Sequence, residues 1–508
     1  MKLLGIDVGT SGCKATVVDC DGDVLGRGYQ EYAVDRHPNG QAELDANMIW
    51  AAVQKVVAQA VHESGSEGDI AAISVSSFGE TVVPIARDGR IIGPGILYYD
   101  PRGADEAKAL EEDLGRTAIL ESVGVESHPM YSICKIAWIK KHQPELFERV
   151  WKFLFFADLV LFKLGAEPAT DYSLAARSMA FDVVSKQWSQ AVLRSVGVDS
   201  DIFGKPVPAG ACIGKISTRL ATELGINENA LLVAGGHDQA CAALGAGAIR
   251  EGIAVNGMGT VDCLTPCFST PIINERMAGS FFACVPHVVP DRYVTYAFNF
   301  TSGSLLRWYR DNFATEQVAE AKRRGVDPYQ VIIEHAAREP SGLYVLPHFS
   351  GAATPYMDSN AVGAIIGLGL DSDPSKIIKA ILEGIAFEMK VNMTHLRAAG
   401  VELTELRATG GLARSEVMLQ LKADILGVKV STLEVAEAGT MGVAILAGVA
   451  AGVYKDAEEG VERLAKVSRT YYPNTDVTRD YETRFEVYRR IYPAVRNIYG
   501  RDQNLSCR

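Results

Sequence analysis

Hydrophobic and polar positions divide the chain into short apolar runs and longer stretches of helical period. Lys2 to Asp7 reads as an apolar strand, the turn Gly9-Thr10-Ser11-Gly12 follows, and a second strand runs from Cys13 to Asp19. Asp21-Gly22 then turns the chain into a third strand, Val24 to Gln30, so the opening is a β-meander whose first hairpin is glycine-rich. Trp50, Val53, Val56, Val57 and Val61 recur at spacings of three and four, which predicts a helix over Met48 to His62, with a strand at Ile70 to Ser76 after it.

The same device returns in the second half. An apolar strand, Leu231 to Ala234, leads into a Gly- and Ala-rich run through Ala248, and Gly252 to Pro266 again reads strand, Gly259-Thr260 turn, strand. Such self-similarity predicts two related α/β domains, 1–248 and 249–508, which meet over a cleft because no low-complexity linker separates them. The second domain would continue through a strand at Gly342 to Leu346, a helix at Ser375 to Ala398 and a strand-turn-helix unit at Leu406 to Leu426. A closing helix is expected at about Arg479 to Tyr499.

Composition removes several classes. With 48% hydrophobic and 22% charged residues in 508, the chain can bury a core of domain size and falls outside the disordered and fibrous ranges. Lys+Arg 50 against Asp+Glu 62 gives a formal charge of −12, which argues against a nucleic-acid partner, since displacing counterions from phosphates takes clustered cations. The most apolar stretch, Phe153 to Leu164, is broken by Asp158 and Lys163 and is shorter than the about 20 residues a bilayer span requires, so no membrane partner is expected. The N-terminal apolar run stops at Asp7 with no cleavage site after it. The nine cysteines are scattered, and Cys263 and Cys267 lack a matching second pair, so the expectation is a reduced, cytoplasmic setting without zinc.

Candidate chemistry collects at the ends of strands. No Walker loop is present, because Gly210 to Ile216 has the wrong spacing and ends in Ile. The G-x-G-x-x-G that begins at Gly245 meets Arg250 where the third glycine belongs. Asp7-Val8-Gly9-Thr10-Ser11 offers something else: Gly9 lets the backbone approach a phosphate, Thr10 and Ser11 supply hydroxyls, and Asp7 can hold the water shell of Mg²⁺. The same residues also suit an ordinary polar hairpin turn. Gly259-Thr260 repeats the loop in the second half. In Gly235-Gly236-His237-Asp238 a carboxylate follows a strand and opens a small-residue helix, where it is expected as the N-cap, and His237 reads as structural. The paired Gly410 and Gly411 would let a flat base lie on the backbone, with Ser415 capping the amphipathic helix after them.

Taken in order along the chain, these motifs resemble the FGGY carbohydrate kinases of the actin and sugar-kinase superfamily. Met130-x-Ser132-x-x-Lys135-Ile136-x-Trp138-Ile139-x-Lys141-His142 matches the first family signature, and Gly363-x-Ile365-x-Gly367-Leu368 through Glu383 follows the second except at Lys376. The resemblance implies an α/β fold of two RNase H-like (actin-like ATPase) domains flanking a central cleft. ATP would lie with its base on the second domain and the sugar against the first. It implies transfer of a phosphoryl group from ATP, with Mg²⁺, to a hydroxyl of a small sugar or polyol. A xylulose-like ketose stands ahead of other ketoses, deoxyketoses, polyols and glycerol, and a nucleotide-driven switch is the other reading of such a fold.

The roles implied by the resemblance follow residue by residue. Asp238 is the catalytic base and also touches the sugar, while Asp7 organises Mg²⁺. Gly9, Thr10 and Ser11 hold the γ-phosphate, Gly259 and Thr260 grip the phosphates from the other side, and Gly410, Gly411 and Ser415 hold the adenosine. Phosphoryl transfer needs mostly positioning and charge neutralisation, so an Asp of ordinary basicity is expected to serve. Sugar contacts are expected from Phe78, Gly79 and Glu80 and from Asp100 and Arg102, with two alternatives: Glu80 as a solvent-facing cap, and Arg102 as a structural partner of Asp100. Xylulose kinases typically carry Met-His and Trp-Asn-Asp where this chain has Phe78-Gly79-Glu80 and Tyr98-Tyr99-Asp100. A homodimer is an expectation from the family alone.

Overall fold

The computed structural model describes residues 1–435 and 437–499; Ala436 and the last part of the expected second domain, 500–508, lie outside the described residues. Two mixed sheets organise the chain. The first has the strand order Cys212–Lys215, Leu231–His237, Ile70–Ser77, Lys2–Val8, Gly12–Val18, Val24–Glu31. Its three middle strands run parallel and its flanking pairs antiparallel. The main path of the second is Val285–Pro286, Tyr293–Val294, Asp262–Phe268, Gly252–Met258, Leu403–Thr409, Lys429–Leu433, Val467–Tyr471. Again three parallel strands are flanked by antiparallel ones. The internal repeat seen as two Gly-Thr hairpins is therefore a repeat of whole sheets.

Burial explains why these strands are apolar without clean alternation. Consecutive residues Leu3 and Leu4 are both fully buried, as are Leu232 and Val233, because helices cover both sheet faces. One of them, Ala438–Ala450, comes from the second half of the chain yet packs in the core of the first sheet, with Met441, Val443 and Ile445 beside Leu3, Leu4 and Ile6. Its small residues permit a very close approach to helix Asp238–Gly245. A Cβ on Gly245 would fall 1.9 Å from the Ala438 carbonyl oxygen, and one on Gly442 would fall 1.9 Å from that of Cys241. The helix that begins at Asp238 is thus clamped along its length.

Two expectations need correction. The closing helix is two helices, Thr475–Tyr488 and Ile491–Tyr499. In a continuous helix the ring of Pro493 would meet the carbonyl of Arg489; in the break, Pro493 falls in the first turn of the new helix, where its missing N–H costs nothing. The strand expected to end at Ala234 continues to His237, so His237 is the N-cap of the following helix and Asp238 is its first residue.

Candidate active site

The first hairpin turns at Gly9–Ser11 between paired residues Val8 and Cys13. Tyr32 ties it back, donating its hydroxyl to the Gly9 carbonyl at 2.5 Å and its N–H to the Ser11 carbonyl at 3.1 Å. In the second hairpin, the start of helix Gly303–Phe313 plays the same part. Gly303 N–H donates to the Gly259 carbonyl at 3.0 Å, and the Thr260 carbonyl accepts from Ser302 N–H, Ser304 N–H and Ser304 Oγ. The Gly9, Ser11, Gly259 and Thr260 carbonyls are thus engaged, which suits a polyanion, because a free carbonyl oxygen would repel a phosphate.

Asp7 is the last-but-one residue of the first strand, half-buried, and accepts from Ser76 Oγ at 2.8 Å. Burial pushes its carboxyl above the usual range, with Ser76 and Lys14 pulling the other way. The start of helix Ala438–Ala450 closes on it, since a Cβ on Gly439 would come within 3.4 Å of the Asp7 carboxylate.

Asp238 stands where strand Leu231–His237 passes into a helix. Its Oδ1 accepts the Gln239 N–H at 2.6 Å and lies 3.2 Å from His237 Nε2. Burial, then the Asp7 and Glu80 carboxylates, push its carboxyl up to about 8. This departs from the ordinary basicity expected of it, and the cause is burial first, then the convergence of three acids from distant parts of the chain. His237 is no bystander. Its Nδ1 shares a 2.8 Å hydrogen bond with Tyr296 Oη. Burial and then Arg177 hold its imidazole well below the usual range, so the contact with Asp238 is not an ion pair. The strand end is held from behind as well, the His237 N–H donating to Ser173 Oγ at 2.8 Å and Ser173 Oγ donating to Asp171 at 3.0 Å.

The expected sugar residues divide. Glu80 is buried with φ 61° and paired with Arg177, so it is no solvent-facing cap; Ser132 Oγ of the first signature fixes its carbonyl at 2.8 Å. Gly79 lies against Arg177 and His237, where any Cβ would come within 3.0 Å of both side chains. Phe78 faces the core instead, its ring centroid 5.1 Å from that of Phe156. Asp100 and Arg102 pair with each other, as one of their two readings has it. The Asp100 carboxylate, wholly buried, accepts from Ala42 N–H at 2.7 Å, from Arg102 N–H and Nε at 2.9 Å each, and from Arg102 Nη2 at 2.6 Å. Arg102 also pairs with Glu43 at 2.7 Å and lies over the Trp138 ring. Their polar atoms are engaged in pinning the loop, and Lys135 of the first signature completes it by donating to the Asp100 carbonyl at 2.6 Å. Sequence reading missed Arg177, Tyr131 and Tyr296 and took His237 as structural; the motif around Ser132 was the one signal beside Tyr131, and nothing local marked the other two distant residues.

On the second half, Gly410 takes φ 88° and runs so close to the second hairpin that a Cβ would meet the Met258 carbonyl at 2.8 Å. Ser415 caps helix Glu416–Leu426, accepting the Met418 N–H at 3.3 Å. Gly411, Arg414 and Ser415, with Tyr329 and Gln330 opposite, line a cavity of about 530 Å³, within the size range of small-molecule sites. Among the described residues no cluster of three or more His, Cys, Asp or Glu could hold a metal by itself. Mg²⁺ usually takes one or two carboxylates and completes its shell with water and phosphate oxygens, so Asp7 beside a phosphate hairpin fits it.

Two mixed sheets of one topology, each presenting a Gly-Thr hairpin, define a two-domain α/β fold of the actin-like ATPase type. The sequence profile of the N-terminal domain of the FGGY family of carbohydrate kinases matches residues 2–245, and that of the C-terminal domain matches residues 254–451. The chain belongs to this family and is a carbohydrate kinase. It is 27% identical over 504 residues to a xylulose kinase of Bacillus subtilis (strain 168), covering 98% of this chain and 97% of that one. It is 28% identical over 505 residues to a gluconokinase of the same strain, covering 98% and 96%. A solved xylulose kinase from Brucella ovis superposes with a TM-score of 0.87 at 26% identity, over 98% of this chain and all of that one. Among the described residues no helix is long and apolar enough to cross a membrane.

Proposed function

We propose that the chain transfers the γ-phosphoryl group of ATP, with Mg²⁺, to a hydroxyl of a small open-chain sugar, a xylulose-like ketose, bound against the first sheet. The observation that carries this reading is the placement of Asp238. It stands at a rigidly clamped strand end, its charge coupled to Asp7 on the phosphate side and to Glu80 on the other. Asp238 Oδ accepts the proton of the attacking hydroxyl, and Gln239 N–H and the neutral His237 orient it. When bound, Mg²⁺ neutralises charge on the transferring phosphates and, through Asp7, relieves the crowding of carboxylates that keeps Asp238 protonated. The two hairpins, with their carbonyls tied back, hold the phosphate chain by Gly9, Thr10 and Ser11 on one side and Gly259 and Thr260 on the other. Gly410, Gly411 and Ser415 form the floor and rim for the adenosine. Closing the lobes excludes water that would otherwise accept the phosphoryl group.

The test is sugar-stimulated release of ADP from Mg-ATP over a panel of ketoses, pentitols, aldonates and glycerol. A five-carbon ketose is expected to give the largest stimulation. Equal ADP release with and without every member of the panel would overturn the reading.

A further inference from the structure

The cavity that Gly411 and Ser415 line on one side is closed on the other by the helix Pro328–Glu334, and the polar atoms of that wall are committed in one direction. Gln330 and Glu334, one turn apart, are exposed and line the cavity of about 530 Å³. Ile333 and Leu412, 5% and 8% exposed, give it apolar surface on which a flat ring can lie. Gln330 Nε2 donates to Glu334 Oε1 at 2.8 Å. Glu334 is held in turn, since Arg324 Nη1 donates to its Oε2 at 2.7 Å and to Glu320 Oε1 at 3.0 Å. Arg324 and then Gln330 hold the Glu334 carboxyl below its usual range, so it only accepts, and the Gln330 amide must face it with nitrogen. Oε1 of Gln330 is then left without a hydrogen-bond partner among the described residues, on an exposed side chain that a ligand can reach. The cations beside this wall are taken: Arg324 as above, and Arg310 by Asp311 Oδ1 at 2.7 Å and by Tyr329 Oη at 3.0 Å.

A wall of acceptors selects a ligand edge that donates. Resting on the kinase reading above and on its placement of the nucleoside in this cavity, we infer that Gln330 chooses the base: its Oε1 accepts from the exocyclic amine of a 6-aminopurine. Glu334 is the positioning residue, keeping that oxygen and not the amide nitrogen turned to the ligand. A 6-oxopurine in the same place sets its carbonyl oxygen against Oε1, lone pair against lone pair, and the hydrogen bond is lost. Arg414 lines the cavity too, but on the facing side with Gly411 and Ser415, so it does not change the character of this edge. Water competes for an exposed amide, so the discrimination is about tenfold, well short of the factors that a sealed polar site reaches.

The experiment measures the affinities of ATP and ITP by calorimetry, with Mg²⁺ and without sugar, and then their KM values in sugar-dependent ADP or IDP formation. The two nucleotides differ in the amine or oxo group at position 6 of the purine. The native chain is expected to bind ATP about tenfold more tightly than ITP, with the same ratio in KM and little difference in kcat. Gln330→Leu should bring the two affinities to within about twofold of each other, ATP losing its acceptor and ITP its clash. Glu334→Met leaves Gln330 in place but frees the amide to turn its nitrogen outward, so it should lower the ratio about as far, chiefly by improving ITP. A merely structural Glu334 would weaken both nucleotides together and leave the ratio alone. Native affinities within about twofold of each other, or a preference that either variant leaves unmoved, would overturn the inference and leave the kinase reading standing. Binding of neither nucleotide would sink both. Binding of both with no sugar phosphorylated would sink the kinase reading, while the ratio of affinities still decides the role of Gln330.

Discussion

Asp7 and Asp262 stand beside equivalent turns of the two lobes, and their surroundings could hardly differ more. The hairpins align as Asp7-Val8-Gly9-Thr10 and Gly257-Met258-Gly259-Thr260, so the position held by Asp7 in the first is a glycine in the second. The acid of the second hairpin comes after the turn and points into its own lobe. Asp262 is fully buried, takes a 2.5 Å contact from Lys422 Nζ and meets the Asn256 amide, while Lys422 also donates to Asn256 Oδ1 at 2.6 Å. Asp7 has no cationic partner within bonding distance among the described residues and titrates high, whereas Asp262 is locked by a lysine that links the hairpin to the helix capped by Ser415. One fold unit has been used twice, once to present charge to the cleft and once to hold backbone in place. In the proposed function, a second cleft-facing carboxylate would repel the phosphates placed between the hairpins.

The comparison breaks first at Lys422. Lys422→Met strands a buried carboxylate and should cost about 3–5 kcal/mol of stability, read from urea unfolding; adding Asp262→Leu should restore most of it. If the single variant is as stable as the native chain, the buried pair is not what holds the second hairpin. Next comes Asp7→Ala, expected to lower kcat by on the order of 10²–10³, the size of losing one preorganised electrostatic group. Gly257→Ala at the matching position should stay within about twofold of native, since changes away from packed or bonded groups are small and its Cβ would meet nothing nearer than the Cys263 carbonyl at 3.9 Å. Equal losses in the two variants would erase the distinction between the hairpins.

The smallest expected effect is a shift along the pH axis. Asp238 must be ionised to accept a proton, and burial with two neighbouring acids pushes it up to about 8. Without Mg²⁺ and nucleotide, the Asp238 carboxyl should therefore lose its proton with a midpoint at about 8, followed by carboxyl NMR. Asp7→Asn, which removes the larger of the two charge effects, should move that midpoint down. The Lys422→Met/Asp262→Leu pair should leave it in place. A midpoint unmoved by Asp7→Asn would mean the two acids do not feel each other.

Much of this was readable because the motifs mark backbone events. Asp7 to Ser11, Gly235 to Asp238, Gly259-Thr260 and Gly410-Gly411 each sit where a strand ends, and glycine spacing reports such ends directly. What stayed hidden depends on contacts far apart in sequence. Glu80 and Arg177 are 97 positions apart, and the ring pair that grips Arg177 joins residue 131 to residue 296. Asp100 and Arg102 left two readings open for the opposite reason. Two residues apart, they satisfy each other, and Glu43 and the Ala42 N–H, which complete their bonding, lie on a strand, Ala42–Leu44, that the hydrophobic pattern did not reveal. The elevated basicity of Asp238 was likewise beyond local reading, since it arises from burial and from acids at positions 7 and 80.

The central claim is that Asp238 takes the proton of the sugar hydroxyl, and the most direct measurement is the pair of nucleotide affinity and sugar-dependent ADP formation in Asp238→Asn. Nucleotide affinity is expected to stay within a few-fold of native while sugar-dependent turnover falls by about 10²–10⁴, the range for losing a general base. Native turnover in that variant would contradict the account.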